Sequence, residues 1–279
     1  MREYGRALLV DGASLLDVCT RIEGRMQALG VRPAFPTCLS LNDVAAHFTP
    51  THKDRAVLRR GDLVKLDMGT RVDGYLADTA VTVEVGTRNW TELIRASQTA
   101  LDAAIEIVRP KIQTRLIGAA IERAIESFGF RPIANLTGHT LERWVVHAGK
   151  SIPNVGDHSS DLLEAGDLVA IEPFATNGAG KVDGRKTGNI YRLARVVKEI
   201  KPDAALALYQ HIEQEFDHLP FAERWCVAFD KRAPALLQRM LRLGVVTTYA
   251  ALLDVGKGMV SQTEHTMVVT DGGALVTTA

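Results

Sequence analysis

Net charge is the first thing this sequence lacks: 33 lysines and arginines are cancelled by 33 aspartates and glutamates. That balance gives no bulk pull toward nucleic acid or an anionic membrane surface. Cysteine is scarce. Cys19, Cys38 and Cys226 share no metal-type spacing, and an odd, sparse set reads as reduced thiols of a cytosolic protein. Long apolar runs are also missing. The opening MREYGRALLVDGAS holds an apolar stretch far too short for a secretion signal, and nothing later has the length of a bilayer span. There is no GxSxG elbow of a serine hydrolase and no GxxxxGK[ST] phosphate loop. The glycine-rich GAGKVDG at 178–184 lacks that spacing and reads as a loop leaving a strand. What remains is an intracellular globular chain of 279 residues, long enough for one large core or two small ones.

What is present is repetition. Residues 61–69 read GDLVKLDMG and residues 166–174 read GDLVAIEPF, and the same offset carries Asp67 onto Glu172. Upstream, GVRPAF from Gly30 echoes GFRPIA from Gly129, and AAHF around His47 parallels VVHA around His147. Blocks repeated in one order indicate two copies of a structural unit, each contributing a histidine and an acid. Leu15, Val18, Ile22, Met26 and Leu29 recur at helical spacing ahead of Gly30, and Leu116, Ala120, Ile121, Ile125 and Phe128 do so ahead of Gly129. Another helix is expected over 91–109, ending at Pro110. Each GDLV segment runs from turn chemistry into a buried strand, and VKLDMG with YLADTAVTVEV forms a hairpin about GTRVDG. The expected fold class is therefore α+β: two pseudo-symmetric halves, antiparallel sheet and flanking helices.

The second half carries a long insertion between Glu172 and TEHTMVVT, where Glu264 corresponds to Asp78. Helical patterns over 203–218 and 233–243 make it a small subdomain, placed at 182–258, with the main body at 1–181 and 259–279. Helices followed by strand-like pieces suggest a winged-helix shape. Residues 201–244 hold six basic and six acidic residues, however, which argues against a DNA reader.

Five residues could form a metal cage: Asp67, Asp78, His139, Glu172 and Glu264. Taken singly, each acid reads as well as a salt bridge or a strand end. Their symmetric placement among apolar strand residues favours a divalent pair, and the carboxylate-rich set suits Mn, Fe, Co or Zn. A lone histidine in HFTP or HAGK is more often structural than catalytic. As a symmetric pair beside five potential ligands, His47 and His147 could instead donate hydrogen bonds to a substrate carbonyl. His52, His158, His211, His218 and His265 lack that context. His211 and His218 read as surface residues, and His265 should face away from Glu264.

At this point the chain resembles the methionine aminopeptidases of pita-bread fold, and within them the type II class. PAFPTCLSLNDVAAHFTP, LDMGTRVDGYLADTAVTV, LTGHTLERWVVHAGKSIPN, GDLVAIEPFATNGAGKV and TEHTMVV are similar to the family's blocks in order, and the insertion with LPFAERW has an archaeal look. The resemblance implies two divalent ions per chain, held by Asp67, Asp78, His139, Glu172 and Glu264. It implies catalytic roles for His47, His147 and Glu172, and a methionine pocket of Phe35, Val146 and Tyr249. The implied reaction removes N-terminal methionine from nascent proteins and peptides whose second residue is small. The implied enzyme is a cytoplasmic monomer, with ribosome association allowed for and no nucleic-acid or membrane partner. Xaa-Pro aminopeptidases, prolidases and non-enzymatic binding proteins of the same fold are the alternatives. The insertion weighs against the first two, and the intact ligand set against the third.

Overall fold

A computed structural model describes the backbone of residues 1–279 and the side chains of all but 185–187. The repeat is visible in its turns. Helix Leu15–Ala28 is capped by Ser14, whose side chain accepts from the Asp17 amide, and it buries Leu15, Val18, Ile22 and Met26. Helix Thr114–Ser127 buries Ile117, Ala120, Ile121 and Ile125 in the same way. Each helix is followed by a left-handed glycine, Gly30 at φ +76° and Gly129 at +78°, and each GDLV segment begins on one, Gly61 at +95° and Gly166 at +93°. The four positions need a backbone conformation that glycine adopts without penalty.

Among the described residues the strands form sheets of nine, three and four strands. In the large sheet, strand Leu63–Val72 pairs along its whole length with Tyr75–Glu84. The second hairpin joins Leu168–Ile171 to Glu264–Thr270, and the two hairpins meet where Glu264 pairs with Ala80 and His265 with Thr79. The copies differ in register. Thr79 faces Met68, whereas its counterpart His265 faces Ile171, the counterpart of Leu66. A shift of two residues leaves every side chain on its own face.

One face of this sheet carries the helices. Leu66, Met68 and Val81 pack with helix Leu15–Ala28, while Val169, Ile171, Met267 and Val269 pack with helices Thr91–Ile107 and Thr114–Ser127. The other face is left for the site. Between the arms Val182–Leu193 and Val246–Asp254, helices Asp203–Phe216, Glu223–Val227 and Ala233–Arg242 enclose their own core around Leu208, Ile212, Phe221, Leu237 and Met240. The helix expected over 203–218 stops at Phe216, because Asp217 takes φ +54°. Strand Val246–Asp254 also pairs with Val44–Ala46, so the insertion is tied to the body just ahead of His47. Among the described residues, no helix is long and apolar enough to cross a membrane.

Candidate active site

Register explains why the acids meet. Asp67 pairs with Ala80, Ala80 pairs with Glu264, and Asp78 stands two residues from Ala80 on the same strand. Side chains alternate along a strand, so Asp67, Asp78 and Glu264 point to one face. His139 pairs with Ala170, and Glu172 follows Ala170 by two residues, just past the strand's end at Ile171 and ahead of Pro173. His265 points to the helical side, where Arg2 and Thr278 meet its ring.

The His139 Nε2 atom lies 3.9 Å from Asp78 Oδ2 and 3.7 Å from Glu172 Oε1. One ligand atom each from Asp78, His139 and Glu264 lies within 4.8 Å of the others. Gln262 donates from Nε2 to Glu172 Oε2 at 3.2 Å and also hydrogen-bonds Asp67. Among the described residues, Asp67 Oδ1, Asp78 Oδ1 and Glu264 Oε2 are buried without a hydrogen-bond partner.

Burial pushes the Asp67 carboxyl up to about 7. Burial, and then mutual repulsion, hold Asp78, Glu172 and Glu264 well above the ordinary range. Desolvating each carboxylate costs several kcal/mol unless something positive is bound. Buried acceptor oxygens with no donor supply that reason to bind cations, and the oxygen-rich set with one imidazole fits divalent transition ions. Burial, then the nearby His147, lowers His139 to about 3, leaving a neutral imidazole available as a ligand.

Above the acids lies a cavity of about 500 Å³, its open mouth included, lined by the five residues above and by Phe35, His47, Val146, His147 and Tyr249. His139 and His147 meet edge to face at 4.4 Å, and Tyr249 lies 5.5 Å from His47 and 6.2 Å from His147. Burial, then His147, lowers His47 to about 4, and burial, then Arg192, lowers His147. Two neutral rings with N–H groups thus face the cavity. His47 holds φ +65°, an uncommon conformation for a side chain of this size.

Cys38, Ala46, Ile190 and Pro220 also line the cavity, and Gln262 lies beneath it. Strand alternation from Glu264 could have found Gln262. Ile190 and Pro220 carry no sequence signal, because the insertion brings them in from afar. His211, expected at the surface, is half-buried and stacks on Phe229 at 4.1 Å. His52 faces Glu223 at the seam with the insertion.

Similarity to known proteins agrees with this geometry. The profile of metallopeptidase family M24 matches residues 1–271. A methionine aminopeptidase of Archaeoglobus fulgidus is 45% identical over 271 residues, which cover 97% of this chain and 91% of that protein. The solved methionine aminopeptidase of Thermotoga maritima superposes with a TM-score of 0.68 at 25% identity, covering 98% of this chain and 89% of that one. A thermophilic Arx1 superposes at 0.86 with 18% identity over 98% and 86% of the two chains, a likeness of fold alone. The architecture is the pita-bread fold, and the chain belongs to metallopeptidase family M24.

Proposed function

We infer that this protein is a methionine aminopeptidase, a metal-dependent hydrolase that removes the N-terminal methionine from chains whose second residue is small. The observation that carries the reading is the set of buried carboxylate oxygens without donors, lying beneath a cavity with an apolar wall. Its near-full-length identity to a protein of that name supports it.

In this reading Asp67, Asp78, His139, Glu172 and Glu264 hold two divalent ions, of Co, Mn, Fe or Zn. When bound, such ions polarise a carbonyl and lower the pKa of water so that a nucleophile exists near neutral pH. His47 and His147 donate N–H groups to the carbonyl oxygen as it gains negative charge. Glu172 carries the proton to the leaving amine, as its partly shared position beside His139 and Gln262 allows. Phe35, Val146 and Tyr249 form the slot for the thioether side chain. Water adds across the peptide bond, and free methionine leaves with a new amino terminus on the shortened chain.

The body at 1–181 and 259–279 carries the ligands, and the insertion at 182–258 completes the pocket with Ile190, Pro220 and Tyr249. The substrate is a peptide or nascent chain, and the place of action is the cytoplasm, at or near the ribosome. The chain acts as a monomer in this reading, and its balanced charge supports the expectation of no nucleic-acid or membrane partner. A metal-titrated assay comparing a Met-Ala peptide with Xaa-Pro substrates tests the reading. Release of methionine is expected, and turnover confined to Xaa-Pro substrates would assign the chain to a different peptidase.

A further inference from the structure

The segment from His47 to Pro50 has no regular secondary structure, yet it must hold His47 in a left-handed conformation facing the cavity. Its anchor comes from the insertion. Arg224, in helix Glu223–Val227, donates from Nη1 to Thr49 Oγ1 at 2.6 Å and to the Pro50 carbonyl at 3.1 Å. Asn189 donates to the Thr49 carbonyl at 3.1 Å, and the Thr49 hydroxyl donates to the Thr37 carbonyl at 2.7 Å. Glu23, in helix Leu15–Ala28, holds Arg224 in place. Its Oε1 accepts from Arg224 Nη2 and from the Thr37 amide, and its Oε2 accepts from Trp225 Nε1 at 2.8 Å. The two side chains are only 5% and 12% exposed.

We propose that Arg224, oriented by Glu23, is a positioning residue for His47, acting through the Thr49–Pro50 turn. A planar guanidinium is suited to this task because one nitrogen can bridge two oxygens of the turn while another meets a carboxylate. The consequence is that the insertion helps set the geometry of a ring in the body. A buried ion pair is weak grounds for added stability, because desolvation offsets much of the attraction, so its placement against this turn needs another reason. The simpler alternative is that the network only fastens the insertion to the body.

The inference rests on the methionine aminopeptidase reading for its kinetic test, so the test has two readouts. The full-length, metal-loaded protein is assayed on a Met-Ala peptide as wild type, Arg224→Lys, Thr49→Val, His47→Ala and both doubles. Arg224→Lys and Thr49→Val are each expected to lower kcat on the order of tenfold with metal content unchanged. On the His47→Ala background neither should cost more than about twofold, because contacts that act through one residue are not additive. Equal losses in both backgrounds would overturn the proposal and leave a fastening role. Thr49→Val keeps the ion pair, so it decides the matter if Arg224→Lys fails to fold. The second readout needs no turnover. The ring NMR signals of His47 should shift in Arg224→Lys and Thr49→Val while those of His265, on the far face, stay. Unmoved His47 signals would overturn the proposal, whereas an inactive wild type with shifted signals would count against the functional reading alone.

Discussion

Asp67 and Glu264 pair with the same residue: Ala80 faces Asp67 on one side and Glu264 on the other. The two acids come from different halves of the chain, and Ala80 is small enough to leave the space between them open. Asp67 thus stands across a single residue from Glu264, and its loss should be felt in ion binding. Asp67→Asn is expected to weaken divalent-ion binding by more than the roughly 10–100-fold that loss of an outer partner brings. Gln262→Leu, which removes such an outer partner, should fall within that range. Calorimetric titration of chelator-stripped protein checks both. Unchanged affinity in Asp67→Asn would remove it from the ligand set.

The paired rings 4.4 Å apart should separate by role. His139→Ala is expected to lose metal. His147→Ala should keep it and lose about 10²–10³ in turnover, the scale of one donor to a developing oxyanion. Metal analysis beside kinetics distinguishes the two, and a metal-free or fully active His147→Ala would contradict the assignment.

Stability should depend on pH with a definite sign. Asp67 ionises near its ordinary 3.8 when unfolded and only at about 7 when folded, so the folded state holds the extra proton in between. Metal-free protein therefore loses stability as pH rises through that window. His47 acts in the opposite direction, from about 4 to 6.5, and its contribution is complete above that. Above about pH 6.5 the raised carboxylates still lower stability as pH rises, while the buried Lys65, held by burial well below its ordinary pKa, acts against them in both metal-free and metal-loaded protein. The gap in melting temperature between metal-loaded and chelated protein should therefore widen from about pH 6.5 to about 8, because ions replace the protons of the acids while Lys65 is common to both. A gap that narrows between about pH 6.5 and about pH 8 would contradict this.

Gly69 bears on the pocket. A Cβ placed there would stand 2.3 Å from Phe35 Cε1, so the ring must move. Gly69→Ala is expected to raise KM for Met-Ala peptides by about tenfold while leaving metal content intact, the loss being one of fit. Steady-state kinetics with metal analysis reads this, and an unchanged KM would take Phe35 out of the substrate wall.

Much of this arrangement was legible in the residues themselves. The repeated GDLV blocks located both hairpins, and apolar spacing located the helices that end at Gly30 and Gly129. Asp67, Asp78, His139 and Glu264 lie on strands whose period can be read directly, and Glu172 stands one residue past the end of another, so the five stand together. What was not legible depends on long-range packing. The two-residue difference in register between the hairpins leaves no mark in the sequence, since either register buries the same face. Ile190 and Pro220 reach the cavity only through the fold of the insertion. Glu23 and Arg224 are 201 residues apart, and neither occurs in a pattern that would pair them.

One measurement bears most directly on the site as a whole: methionine released from Met-Ala and Met-Leu peptides by stripped protein as divalent ions are added back. Release from Met-Ala is expected to be absent without metal, to return with Co, Mn, Fe or Zn, and to exceed release from Met-Leu because the second residue enters a confined space beside the ligands. Full turnover by rigorously metal-free protein, or equal rates on the two peptides, would contradict it.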